Sequence, residues 1–340
     1  MSFLLAVISL AAAAHALPTP SRAQLAPLPS LTSFFPLLAS NLSGRPTFSQ
    51  IVSFGDSWSD DGTGAFRLTN ETWPSDLHYD GHRFTNGLTF GEQLAKGLGV
   101  SHSSLAVAGA TTNNTLAQGY TGRNFAIPVK SVHEQVDTFI QSTPIRPIAL
   151  YILQGGLNDF LFGQVDGMVS AKDSANSLGN AMLQLANWGA QYILLLDLPN
   201  TSPFYPYTTL NPFASAPLAN FTRDFRDALY SFDMQRANVA IVDVFALFSE
   251  LEDTPEIFGF AGETLGRACL EGGESVLAHT LRTVLTQQFS IAVYGEAIKV
   301  TVCNKPTSYL WWDEFNPTNL THSYLASLAY GALKQQQWVV

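Results

Sequence analysis

Five short apolar runs punctuate the chain: Gln50–Phe54, Ser104–Ala108, Ile148–Leu153, Tyr192–Leu196 and Val239–Val242. Each stops at small polar residues. Runs of this length, without polar alternation, predict strands buried on both faces, as in a parallel sheet. Between them apolar positions recur at helical spacing. Leu88, Phe90 and Leu94 predict a helix within Asn86–Gly97, and Val132, Val136, Phe139 and Ile140 one over Val132–Gln141. Further helices are expected over Ala171–Gly189, Leu218–Arg236, Leu277–Glu296 and His322–Lys334. The strands lie too far apart for hairpins, so the helices serve as crossovers between parallel strands. The expected fold class is α/β: one domain over residues 48–340, three layers, a parallel five-stranded sheet with helices on both faces.

The loops that follow these runs hold the chemistry. The first run ends in Gly55-Asp56-Ser57, which delivers Ser57 to the C-terminal edge of the sheet, where ligands bind in open α/β folds. The second loop offers Gly109, whose missing side chain lets a backbone N–H come close to a substrate. The third offers Asn158, a neutral donor after Gly155-Gly156. Near the C-terminus, Trp311-Trp312-Asp313-Glu314-Phe315-Asn316-Pro317-Thr318 offers Asp313. Acyl transfer needs a nucleophile, a base, an orienting carboxylate and donors for the oxyanion. Ser57, Gly109, Asn158 and Asp313 fill every role except the base. Asp56, Asp159, Asp197 and Asp243 stand at turns and strand ends, where capping or bracing is the expected task.

Composition narrows the setting. Hydrophobic residues make up 46% and charged residues 13%, enough apolar content for a large core. The net charge of −10 argues against nucleic acid and anionic membranes as main partners. Residues 1–16 carry an apolar run, Phe3–Ala14, ending at Ala14-His15-Ala16, and read as a secretory signal peptide too short to span a bilayer. Residues 17–47, rich in Pro, Ser and Leu, read as a linker. N-x-S/T sequons at Asn41, Asn70, Asn113, Asn200, Asn220 and Asn319 fit a secreted, N-glycosylated product. In that space Cys269 and Cys303 can pair. No metal site and no organic cofactor is expected, because the two cysteines have no Cys/His cluster to complete a zinc set.

The residues Phe54-Gly55-Asp56-Ser57-Trp58-Ser59-Asp60, Ala106-Val107-Ala108-Gly109-Ala110-Thr111-Thr112-Asn113 and Gly156-Leu157-Asn158-Asp159 resemble three blocks of the GDSL/SGNH hydrolases. Tyr79-Asp80-Gly81-His82-Arg83-Phe84-Thr85-Asn86-Gly87, with His82 as an insertion, is similar to a segment of the secreted fungal esterases of carbohydrate esterase family 16. So is Cys303 ahead of Tyr309-Leu310-Trp311-Trp312-Asp313. The resemblance implies a flavodoxin-like sheet. It implies acetyl or short-acyl esters of carbohydrates as substrates, hydrolysed through an acyl-enzyme on Ser57. One position departs. The family's last block reads Asp-x-x-His-Pro-Thr, and here Asn316 stands where the histidine should be. An amide has no useful basicity at neutral pH. Among the histidines, His322 is the leading candidate for a substitute base, with packing or capping as its alternative role. His78 and His82 are weaker candidates; His133 and His279 are expected on helices away from the strand ends, and His102 in a loop. The competing reading is a catalytically impaired relative that binds glycans or acts at a cell surface. A lipid-surface lipase, with Trp58, Trp311 and Trp312 lining an acyl pocket, is the third.

Overall fold

The computed structural model describes residue 42 and residues 44–163, 169–201, 204–234, 238–272 and 300–340. All of these fall in one compact unit, Pro36–Val340. The expected signal peptide, nearly all of the linker with Asn41, and the expected helix Leu277–Glu296 with His279 lie outside the described residues.

The chain enters the sheet on β1 (Gln50–Phe54), makes a short helix α1 (Gly64–Leu68), then α2 (Phe90–Leu98) and the edge strand β2 (Ser101–Ser104). A two-stranded hairpin, β3 (Tyr120–Thr121) and β4 (Ile127–Pro128), precedes α3 (Val132–Ser142) and β5 (Ala149–Leu153). Then come α4 (Leu157–Gly163), α5 (Ala171–Asn187), β6 (Tyr192–Leu196), α6 (Pro206–Leu210), α7 (Pro212–Ser231) and β7 (Val239–Val242). Helix α8 (Val244–Asp253) is followed by a small antiparallel pair, β8 (Leu270–Glu271) with β9 (Thr301–Val302), and last by α9 (Asn319–Gln335).

The central sheet is five-stranded, in the order β2-β1-β5-β6-β7, and every neighbouring pair is parallel. That is the expected flavodoxin-like sheet. The chain passes from β1 to β2 on one side and later to β5 on the other, so the switch point lies between β1 and β5. Ligand crevices form at that place. Helices α2 and α9 pack together over one face; α3, α5 and α7 line up over the other. Every residue of β5 is buried, as its unbroken Ala-Leu-Tyr-Ile-Leu sequence requires.

The ends of the helices follow their capping chemistry. Thr89 opens α2 and Ser131 opens α3, each in a capping box with the glutamate three residues on, Glu92 and Glu134. Asp243 opens α8 by accepting the Ala246 N–H. The α2 box explains why that helix starts at Phe90 rather than Asn86. Helix α7 starts at Pro212, earlier than the expected Leu218. Pro212 at the first turn suits a helix start, and the interior Pro217 leaves unpaired only a carbonyl near the exposed Phe213.

One strand is misplaced by the sequence pattern. The ladder of β2 uses Ser101-His102-Ser103-Ser104, not the apolar run Ser104–Ala108. As an edge strand, β2 can carry polar side chains, and His102 therefore lies in a strand rather than a loop. Its Nε2 meets Ser53 Oγ at 3.0 Å. Leu105–Ala108 instead continues beside the end of β1, with Leu105 N–H donating to Ser53 O and Val107 N–H to Gly55 O.

Cys269 and Cys303 form the disulfide. Its backbone environment ties it to the last loop: Cys269 N–H donates to Trp311 O at 3.1 Å and Leu270 N–H to Trp312 O at 2.7 Å. The bridge closes a sequence separation of 34 residues, which in the chain-entropy picture stabilises by about 3–4 kcal/mol. Reductant, or the paired change Cys269→Ser and Cys303→Ser, is expected to lower the thermal midpoint clearly. An unchanged midpoint with both thiols shown free would refute this role.

Candidate active site

Ser57 sits in a turn whose backbone is held from three sides. Gln135 on α3 grips Gly55 twice, accepting its N–H at 2.9 Å and donating to its carbonyl at 3.0 Å. Gln154, just past β5, accepts from the Asp56 N–H and the Ser59 hydroxyl. Asp60 is buried, and its carboxylate accepts the N–H groups of Gly62, Gly64, Ala65 and Ala108 at 2.8–3.1 Å. That one side chain joins the Ser57 loop to the Gly109 loop. Within 51–60 every residue is buried except Ser57, which stays half-buried.

Gly109 has φ +89°, and a Cβ there would stand 1.9 Å from Tyr120 O. Only glycine fits. Asn158, the second residue of α4, is half-buried, and its Nδ2 donates to Ala110 O at 2.9 Å. This bond sets the amide beside Gly109. Asn158 keeps its second N–H. Among the described residues, the backbone N–H groups of Ser57 and Gly109 also donate to no protein acceptor. Asp159, next to Asn158, braces the same loops by accepting the Thr112 N–H at 2.8 Å and the Thr112 hydroxyl.

The fourth loop meets the first through Trp58, whose indole N–H donates to Phe315 O at 3.1 Å. Asp313 is buried and its carboxylate is crowded with donors. Oδ1 accepts the N–H groups of Phe315 and Asn316 at 2.9 and 2.8 Å. Asn316 Nδ2 lies 2.9 Å from both carboxylate oxygens, and the Tyr79 hydroxyl donates to Oδ2 at 2.8 Å. Burial raises the Asp313 pKa, against the pull of these donors. Asn316 thus occupies the donor position that an imidazole N–H would take against the aspartate. Its Oδ1 is buried without a hydrogen-bond partner.

Four loops carrying a half-buried serine hydroxyl, three unspent N–H groups and a carboxylate thus converge at the switch point. The sequence pattern of the GDSL-like Lipase/Acylhydrolase family matches residues 51–329. The chain belongs to this family. The thermolabile hemolysin of Vibrio parahaemolyticus is 25% identical over 82% of this chain and 62% of that protein. The phosphatidylcholine-sterol acyltransferase of Aeromonas hydrophila is 24% identical, over 86% of this chain and 92% of that one. Esterase EstA of Pseudomonas aeruginosa is 28% identical over 85% of this chain and 50% of its own length. The chain therefore spans less than two thirds of the hemolysin and half of EstA. A solved structure of a catalytic mutant of Axe2, an acetylxylan esterase from Geobacillus stearothermophilus, is similar at 13% identity with a TM-score of 0.43, over 88% of this chain and 99% of that one.

Among the described residues, no histidine shares a hydrogen bond with Asp313. His322 is buried in α9 and stacked against Phe90. Its Nδ1 accepts the Phe90 N–H at 3.2 Å, at the first residue of α2, and burial pushes its pKa down to about 3. It is a neutral cap for α2 and shares no hydrogen bond with Asp313 or Ser57. His82 stacks on Phe66 at 3.5 Å between centroids, and exposed His78 pairs with Asp76. His133 pairs with Asp137 along α3. Trp58, Trp311 and Trp312 are buried; Trp58 stacks on Phe248 and Trp311 packs on Tyr205, which makes them core rather than an open acyl pocket. Tyr79, Gln135 and Asp60 hold the site together, yet none was a candidate in the sequence. Tyr79 and Asp60 lie within matching blocks, but the bonds that tie the loops together, Tyr79 to Asp313, Asp60 to Ala108 and Gln135 to Gly55, join residues 48 to 234 apart in the chain. Among the described residues no cluster of side chains suits a metal ion, and no helix is long and apolar enough to cross a membrane.

Burial raises Asp56, Asp60 and Asp159 from 3.8 to about 6 in the folded chain. The folded state then holds these protons more tightly than the unfolded one. Their stabilisation is complete below about pH 4 and is lost as pH rises through 6. Lowering pH from about 8 to about 5 is expected to raise the urea midpoint, and Asp159→Asn to flatten that dependence. A midpoint that falls steadily over the same range would refute it.

Proposed function

We propose that this chain is a secreted SGNH-type serine esterase acting on acetyl or other short-chain esters of carbohydrates through an acyl-enzyme on Ser57. The observation that carries the reading is the half-buried Ser57 hydroxyl among three unspent donors: its own N–H, that of Gly109 and one N–H of Asn158. Donors fixed beforehand around a developing oxyanion supply a large share of catalysis in such sites. Ser57 Oγ bonds to the acyl carbon, the alcohol leaves with a proton, and water releases the acid. The leader-like run Phe3–Ala14, the sequons and the resemblance of the sequence blocks to fungal carbohydrate esterases support the secreted, carbohydrate-directed part of the reading.

Asn316 sets the rate. With an amide facing Asp313, the serine proton passes to solvent water, so turnover is slow and rises with pH instead of levelling near neutrality. His322, capped on Phe90 and neutral above about pH 3, has a structural role in this reading. The same closed Asp313–Asn316 pair favours a second reading, an impaired esterase that binds acylated glycans at a cell surface without turning them over.

Hydrolysis of 4-nitrophenyl acetate across pH separates the readings. The parent is expected to exceed Ser57→Ala, with no plateau near neutral pH, and His322→Ala to lose stability more than rate per folded molecule. Asn316→His is expected to gain about a hundredfold or more and to show an imidazole-like plateau. A parent indistinguishable from Ser57→Ala, with a gain only in Asn316→His, marks a disarmed esterase whose role is to be sought in binding. No gain in either would remove Ser57 from the role of nucleophile.

A further inference from the structure

We infer that Tyr120, Phe125 and Phe162 form an aromatic subsite beside the oxyanion donors, which takes the sugar ring of an acylated saccharide. The inference rests on the proposed carbohydrate-ester reading and names the residues that would recognise the alcohol part.

Three facts place the cluster at the site. Phe162 lies four residues after Asn158 on α4, hence on the same helix face, with a rise of about 6 Å between them. The carbonyl of Tyr120 packs directly on Gly109, at the place where a side chain would otherwise stand. The rings themselves touch: Phe162 meets Tyr120 at 5.9 Å and 72°, and Phe125 at 5.3 Å and 84°. Two separate elements, the β3–β4 hairpin and α4, thus deliver three rings to the rim of one site.

The cluster is built and yet open. Asn114 fixes the hairpin by accepting the Gly119 N–H and donating to Val129 O, so Tyr120 is held by hydrogen bonds outside the rings. Near-perpendicular contacts stop the rings from closing into a stack, and all three remain half-buried. Core aromatics of this chain, such as Phe54 and Phe90, are wholly buried. Half-buried rings leave apolar surface in water that a ligand can cover.

The surroundings select the ligand. Half-buried Gln118 and exposed Arg123 flank the rings in sequence and give the hairpin a polar rim. A sugar ring suits this surface: one face of C–H groups lies on the negative face of an aromatic ring, and its hydroxyls reach the polar rim. The position fits too. With the ester carbonyl at Ser57, Gly109 and Asn158, a group one helical turn away is the alcohol that the acyl group decorates.

The test uses the full chain carrying Ser57→Ala, which removes turnover, and calorimetric binding of acetylated cellobiose. Adding Phe162→Leu, which keeps an apolar side chain but removes the ring, is expected to weaken binding about tenfold, and Tyr120→Ala to do the same. Unchanged affinity in both, with the fold intact by circular dichroism, overturns the subsite; so does absence of binding to Ser57→Ala. In the Asn316→His background, the ratio of kcat/KM for acetylated cellobiose to that for ethyl acetate is expected to fall about tenfold with Phe162→Leu. A change instead in the ratio of octanoate to acetate esters overturns the assignment in favour of the acyl chain. Failure of the esterase reading looks different: a parent equal to Ser57→Ala in hydrolysis, whatever the binding.

Discussion

Buried carboxylates that collect backbone N–H groups hold this candidate site in shape, and Asp60 binds the most of them. It accepts four N–H groups from two loops, so the turn after β1 and the loop beyond β2 become a single body. Ser57 and Gly109 are placed together by that capture and by the Val107 N–H to Gly55 O bond. Asp159 does the same for the loop after β5 by binding Thr112. Leaving those N–H groups unpaired in the interior would cost on the order of 1–3 kcal/mol each, so the loops move as a unit or not at all.

Asp313 belongs to the same class of device, and there the chain departs from its family's habit. An aspartate that orients a catalytic histidine must offer it a lone pair. Here Asn316 takes that place with its amide, while Tyr79 and two backbone N–H groups occupy the rest. The loop keeps its shape because an amide N–H donates as well as an imidazole N–H does. What it loses is basicity. Geometry and chemistry therefore separate at one position: Asn316 keeps the hydrogen bonds to Asp313 but carries no basic nitrogen.

Most of the sheet was legible because buried parallel strands have to be apolar throughout. Tyr192–Leu196 and Val239–Val242 match the sequence pattern residue for residue. β2 was not legible, since an edge strand is free to be polar, and its apolar continuation pairs with β1 outside the ladder. Helix α7 runs Pro212–Ser231 and not Leu218–Arg236, because a proline near an exposed first turn costs little. The hairpin of Tyr120–Thr121 with Ile127–Pro128 was too short to leave a periodic trace.

The sequence by itself determined the α/β class, the loop positions of Ser57, Gly109 and Asn158 beyond the strands, that of Asp313 in a late loop, and the absence of a histidine at 316. Those are properties of local pattern and residue type. The tertiary structure alone decided which partners those residues have. That His322 caps α2, that Tyr79 donates to Asp313, and that Phe162 meets Tyr120 are facts of long-range packing. A side chain's role depends on the burial and donors around it, and those are supplied by segments far away in the chain.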